Sequence, residues 1–113
     1  SNESDLINLK PDYESLVNSN SGINGVCVTS KSIEKRFDFK YRYFWPWSGT
    51  NEDPVTGAVQ TFLTPYWSKK LNKNILHSFQ ASQRTGEMVT TLENDKISIL
   101  GNAVLFLKGE IIL

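Results

Sequence analysis

Between Pro54 and Trp67 the residues Val55, Val59, Phe62, Leu63, Tyr66 and Trp67 recur at helical spacing, but they spread around the helix instead of lining one stripe. A helix that is apolar on most sides needs cover from several directions. A sheet curled around it provides that cover, and the rest of the chain reads as material for such a sheet. Segments 25–30 and 37–45 are strand-like, the second rich in aromatics and stopped by Pro46. Segments 75–82, 87–93, 96–100, 102–107 and 110–113 follow, with Asn94-Asp95 suited to a type I′ hairpin turn. Val104-Leu105-Phe106-Leu107 is apolar on both faces, which predicts a central strand. The expected class is α+β: a mostly antiparallel sheet curled around a central helix, in a single domain over residues 1–113.

Local signals divide the chain further. Asp53-Pro54 reads as an N-cap followed by proline at the first helical position. Gly57 would then sit in the first turn, where glycine costs ~1 kcal/mol relative to alanine; close approach of a ligand or another backbone would explain it. A helix start exposes N–H groups and a positive dipole end, so it attracts an anion such as a substrate carboxylate. Glu52 and Asp53 lie beside it as candidates for moving a proton. Pro65 predicts a kink or a restart, with Thr64 capping the second piece and Asn72 ending it in the left-handed conformation. Near the N-terminus, Pro11-Asp12 opens a short helix with Tyr13, Leu16 and Val17 on one face, closed by residues 18–22.

Charge and cysteine content narrow the function classes. Twelve basic and twelve acidic side chains cancel, which argues against nucleic acid or an anionic membrane as a partner. No apolar run approaches the ~20 residues of a membrane span. One cysteine and one histidine predict neither a disulfide framework nor a metal site, and they fit a cytoplasmic location. The chain lacks an initial Met and closes on Ile111-Ile112-Leu113, so it is expected to be part of a longer protein.

Several motifs fall together in order: Arg42-Tyr43-Phe44-Trp45-Pro46, Glu52-Asp53-Pro54-Val55-Thr56-Gly57, Pro65-Tyr66-Trp67, Gln80-Ala81-Ser82-Gln83-Arg84 and Gly101-Asn102-Ala103-Val104. This series resembles the phenazine-biosynthesis-like isomerase family, whose fold is similar to that of diaminopimelate epimerase. The resemblance implies a protein of more than twice this length, with two similar domains facing across a cleft, of which this chain is the second. It implies a cofactor-independent isomerase or epimerase that binds a small carboxylate-bearing substrate and shifts a proton. The family's principal glutamate belongs to the absent first domain. Asp53 is the catalytic candidate here, and Gly57 and Ala58 match the backbone donors. Arg84 and Gly86 match a substrate-binding Arg-Gly-Gly element. Two departures stand out: Ala58 replaces a serine, and Thr85 replaces the middle glycine.

The resemblance therefore leaves two readings open, an enzyme domain and a non-catalytic binding or structural module that has kept the fold. The chain alone is expected to be inactive. Expected partners are a small-molecule substrate and either the missing N-terminal domain or a second copy in a homodimer, with no cofactor or metal. Arg42 reads as a structural ion-pair partner, His77 as a surface residue and Cys27 as a small hydrophobe. The aromatics from Tyr41 to Trp47 read as core and interface edge, and Lys69, Lys70 and Lys73 as a solvated helix end.

Overall fold

The computed structural model describes residues 2–19 and 22–113. Two short helices open it. In α1 (Glu3–Asn8) the Asn2 side chain accepts from the Asp5 N–H while the Asp5 carboxylate accepts from the Asn2 N–H, a reciprocal cap. α2 (Tyr13–Asn18) begins where Pro11-Asp12 predicts, with the Asp12 carboxylate accepting from the Ser15 N–H at 3.0 Å. The expected terminator of α2 includes Asn20 and Ser21, which lie outside the described residues.

The strands are β1 (Val26–Lys31), β2 (Phe39–Trp45), β3 (Thr50–Glu52), β4 (Ile75–Gln80), β5 (Gly86–Glu93) and β6 (Lys96–Leu100). They form one sheet in the order β1-β2-β4-β5-β6, with β3 paired to the end of β2. All pairs are antiparallel except β2 with β4, which α3 (Gln60–Leu71) links as a crossover. Asn94 and Asp95 both have positive φ, 48° and 62°, so the type I′ turn between β5 and β6 forms as predicted. Asn72 closes α3 in the left-handed conformation, with its N–H bonded to the Ser68 carbonyl.

The class is α+β, and the sheet curls. Trp67 of α3 donates its indole N–H to Thr29 Oγ1 of β1 at 2.9 Å, while the same helix also contacts β6 at the far edge. Five strands spaced ~4.8 Å apart span about 19 Å when flat, so a helix ~10 Å across meets both edge strands only if the sheet bends around it. Phe39, Tyr41, Val59, Leu63, Trp67 and Leu76 fill the concave side, where Phe39 and Trp67 stack at 5.4 Å with an 8° interplanar angle. Cys27 packs against this cluster, and burial pushes its thiol up to about 12, the behaviour of a small hydrophobe.

Several expectations fail. The helix starts at Gln60 and not at Pro54, because hydrogen bonds from β4 and the following loop hold residues 53–56 in a non-helical path. Pro65 does not interrupt α3, and Thr64 caps nothing; it is fully buried, donating to Thr90 Oγ1 at 2.9 Å. Pro65 is tolerated because both it and Thr61, whose carbonyl loses a donor, are on the exposed face, where water replaces the missing N–H. Cover of the helix is also one-sided, since Phe62 and Tyr66 remain about half exposed.

A further failure is the C-terminal segment. Residues 101–113 form no strand, and Val104, Leu105, Phe106 and Leu107 are exposed rather than central. A strand exists only where a neighbour takes up its backbone hydrogen bonds, and no described segment does so for these residues. Among the described residues no helix is long and apolar enough to cross a membrane.

Candidate functional site

The residues between β3 and α3 form a loop with a dense set of internal ties. The Asp53 N–H donates to the Tyr43 carbonyl at 2.9 Å, continuing the β2–β3 pairing by one residue. Gln80, the last residue of β4, points inward and is 1% exposed. Its Oε1 accepts from the Thr56 N–H at 2.6 Å, and its Nε2 donates to the Asp53 carbonyl at 2.7 Å and to Thr56 Oγ1 at 3.1 Å. The Thr56 hydroxyl in turn donates to Asp53 Oδ2. Tyr41 reaches the same loop from β2, donating its hydroxyl to the Thr56 carbonyl at 3.0 Å. Burial pushes the Tyr41 phenol up to about 12, so it stays a donor. Ser82 completes the clamp by donating to the Pro54 carbonyl at 2.6 Å.

Asp53 is thus not the N-cap of α3; its side chain caps its own loop through Thr56. The loop then turns into the helix, with the Gln60 N–H donating to the Gly57 carbonyl and the Thr61 N–H to the Ala58 carbonyl. The N–H groups of Gly57 and Ala58 have no acceptor among the described residues, and Ala58 is exposed. Gly57 is not inside a helical turn, and a Cβ added there meets nothing within 4 Å. The chain's own packing therefore does not require glycine at this position.

Gly86 is different. A Cβ at Gly86 would stand 2.7 Å from Val55 Cγ2, so the close approach of the 81–86 loop to the 53–59 loop requires glycine there. Between them, Thr85 holds a positive φ of 61°, a conformation unfavourable for a β-branched residue. Arg84 is exposed and borders two clefts. One, of about 740 Å³, has Glu52, Pro54 and Ser82 in its wall; the other, of about 490 Å³, has Val55, Gly86 and Ile99. Asp53, Gly57 and Ala58 share one loop and Arg84 and Gly86 the facing one, but the first three do not line either cleft.

Glu52 is not available as Asp53's acid–base partner. Arg42 holds it in a two-pronged ion pair, Nε to Oε1 and Nη2 to Oε2, both at 2.8 Å. The third arm of the guanidinium takes the Leu6 and Leu9 carbonyls at 3.1 and 2.7 Å, closing the end of α1. Arg42 is structural, as expected. His77 is exposed, with its backbone N–H donating to Asp38 Oδ2 at 2.8 Å. No group of three or more His, Cys, Asp or Glu among the described residues is arranged to hold a metal ion.

Sequence reasoning assigns no role to Gln80, Thr56 or Ser82, although all three lie in the motifs, and it gives Tyr41 only as core, a place the residue also holds in the structure. One signal was present: Ser78 and Gln80 occupy the same face of β4 as Leu76, where polar residues in an inward register demand partners.

Residues 1–109 match the family of phenazine biosynthesis-like proteins. This chain belongs to that family. It is 47% identical over 89 residues to an uncharacterized isomerase of Halalkalibacterium halodurans, covering 79% of this chain and 34% of that protein. A phenazine biosynthesis-like domain-containing protein of Bos taurus is 42% identical over 115 residues, covering 96% of this chain and 40% of its own length. Among solved structures, a putative phenazine biosynthesis protein from Clostridium difficile superposes with a TM-score of 0.85 at 37% identity, over all of this chain and 42% of that one. A phenazine biosynthesis family protein of Enterococcus faecalis gives 0.86 at 36% identity, again over 42% of its length. The family member described here thus spans well under half the length of these relatives.

Proposed function

We propose that this chain is one domain of a cofactor-independent isomerase, which binds the carboxylate of a small substrate and contributes Asp53 to a proton shift. The observation that carries this reading is the 53–59 loop. It presents the N–H groups of Gly57 and Ala58 without acceptors among the described residues, together with a carboxylate whose Oδ2 accepts from Thr56 and whose Oδ1 has no partner among them. Proton transfer between carbons needs a second acid–base group. Glu52 is locked by Arg42, so that group comes from a further domain, in keeping with the small share of the relatives' length covered here. Arg84, exposed between the two clefts, is positioned to attract the substrate's charge. Residues 103–113 offer an exposed apolar segment for pairing with that further domain or with a second copy of the chain.

A binding module without turnover is the second reading, favoured by Ala58, which brings no hydroxyl to the site. Acetate, pyruvate and benzoate, titrated into the ¹⁵N-labelled chain, test the binding half. The largest amide shifts are expected at Gly57 and Ala58; saturable shifts elsewhere, or none, would overturn the carboxylate site. Solvent-deuterium incorporation into a bound carboxylate by the chain joined to the proposed further domain, lost in Asp53→Asn, separates enzyme from module.

A further inference from the structure

We infer that Gln80 and Thr56 form a directed hydrogen-bond relay that occupies Asp53 Oδ2 and leaves Asp53 Oδ1 as the single oxygen able to exchange a proton with substrate. The inference rests on the role proposed for Asp53 and names the residues that position it.

The direction of each bond follows from what the groups can donate. The Thr56 N–H is a fixed donor, so the Gln80 atom 2.6 Å from it must be the carbonyl oxygen. That fixes the amide: Nε2 faces the Asp53 carbonyl at 2.7 Å and Thr56 Oγ1 at 3.1 Å and gives one hydrogen to each. The flipped amide would set donor against donor at the first contact and oxygen against oxygen at the second. Thr56 Oγ1, having accepted from Gln80, has a single hydrogen left, and its neighbour is Asp53 Oδ2. Every member of the chain is therefore determined by the first fixed N–H. Gln80 is 1% exposed and Thr56 8%, so water does not compete for these positions.

Asp53 Oδ2 is an acceptor throughout, and Oδ1 has no hydrogen-bond partner among the described residues. A proton arriving at Asp53 goes to Oδ1, and a proton leaving comes from it. In a proton shift, Oδ1 takes a hydrogen from one substrate carbon as its C–H electron pair delocalises toward the substrate carboxylate. The balance is closed when the second acid–base group delivers a proton to the other carbon or face. Gln80 and Thr56 touch no reacting atom; they are positioning residues.

NMR on the unliganded chain tests the relay without depending on any substrate. The Asp53 carboxyl carbon is expected to show an H₂O/D₂O isotope shift from the Thr56 hydroxyl, retained in Thr56→Ser and lost in Thr56→Val. In Gln80→Met the Thr56 amide is expected to exchange at least tenfold faster while the Thr90 amide, remote from the relay, stays protected. An isotope shift that survives Thr56→Val, or Thr56 protection unchanged in Gln80→Met, would overturn the relay. Should Gln80→Met fail to fold, the Thr56 pair decides alone. If carboxylates fail to bind while these signatures hold, the functional reading falls and the relay stands as loop architecture.

Discussion

Gly86→Ala is the substitution on which the two-loop site can be judged most sharply. The added Cβ would lie 2.7 Å from Val55 Cγ2 and 3.0 Å from Cγ1, against a carbon–carbon optimum of about 3.5–4.0 Å. Both atoms belong to a β-branched side chain with restricted χ1, so the clash passes to the backbone of one loop or the other. Overpacking of this kind costs about 1–3 kcal/mol. In a domain of this size each kcal/mol moves the melting temperature by roughly 3–6 °C, so a loss of about 3–18 °C is expected by differential scanning calorimetry. Val55→Ala removes both clashing methyl groups and leaves only the Val55 Cβ at 3.4 Å. Because Val55 is 37% exposed, that change alone should cost under about 1 kcal/mol. In the double mutant Gly86→Ala should therefore add almost nothing, a coupling of about 1–3 kcal/mol. If Gly86→Ala melts with the parent, or if the two effects simply add, Gly86 is not there to admit Val55, and the close packing of the two loops is refuted.

Other expectations are more local. Thr85→Gly should raise stability by about 1 kcal/mol, read from chemical unfolding, because φ of 61° strains a β-branched residue and not glycine; an unchanged midpoint would mean no strain is stored there. Glu3 and Lys40, 5% and 4% exposed, form an ion pair at 2.6 Å that ties α1 to the sheet. Desolvation works to raise the Glu3 carboxyl, but hydrogen bonds from Lys40 and the Ile33 N–H outweigh it and hold the group below its ordinary 4.5. A depressed carboxylate contributes stability above its unfolded value, so this contribution is lost as pH falls below 4.5 through the folded value. Glu3→Gln should flatten that part of the stability–pH curve, and a curve of unchanged slope would rule the pair out as its source. For self-pairing, sedimentation equilibrium should find a dimer of the chain and a monomer of a form ending at Asn102; a monomeric full chain would exclude it.

Much of the fold could be read from residue patterns. The turn at Asn94-Asp95, the left-handed end at Asn72 and the Asp12 cap follow from local chemistry, because each involves residues a few positions apart, while strands β1, β2, β4, β5 and β6 have readable patterns and also find partners in the sheet. α1 and β3 were missed: each is short, and each is held by distant partners, α1 by Arg42 and Lys40, β3 by β2. Asp53 and Gly57, which the motif sets together, share one loop in the structure.

What sequence by itself determined is the set of local preferences and the family. Proline, asparagine and aspartate act on their own backbone, and at Asp12, Asn72 and Asn94-Asp95 those effects survive in the fold. Tertiary structure alone decided where α3 begins, since the pull of Asp53-Pro54 toward a helix start was overridden by Gln80, 24 positions away from Thr56. It also decided that Glu52 serves Arg42, that Pro65 faces solvent where its missing hydrogen bond costs little, and that the apolar residues after Gly101 find no strand to join. Each of these outcomes depends on a partner supplied from elsewhere in the fold, or on its absence, and local sequence carries no record of that.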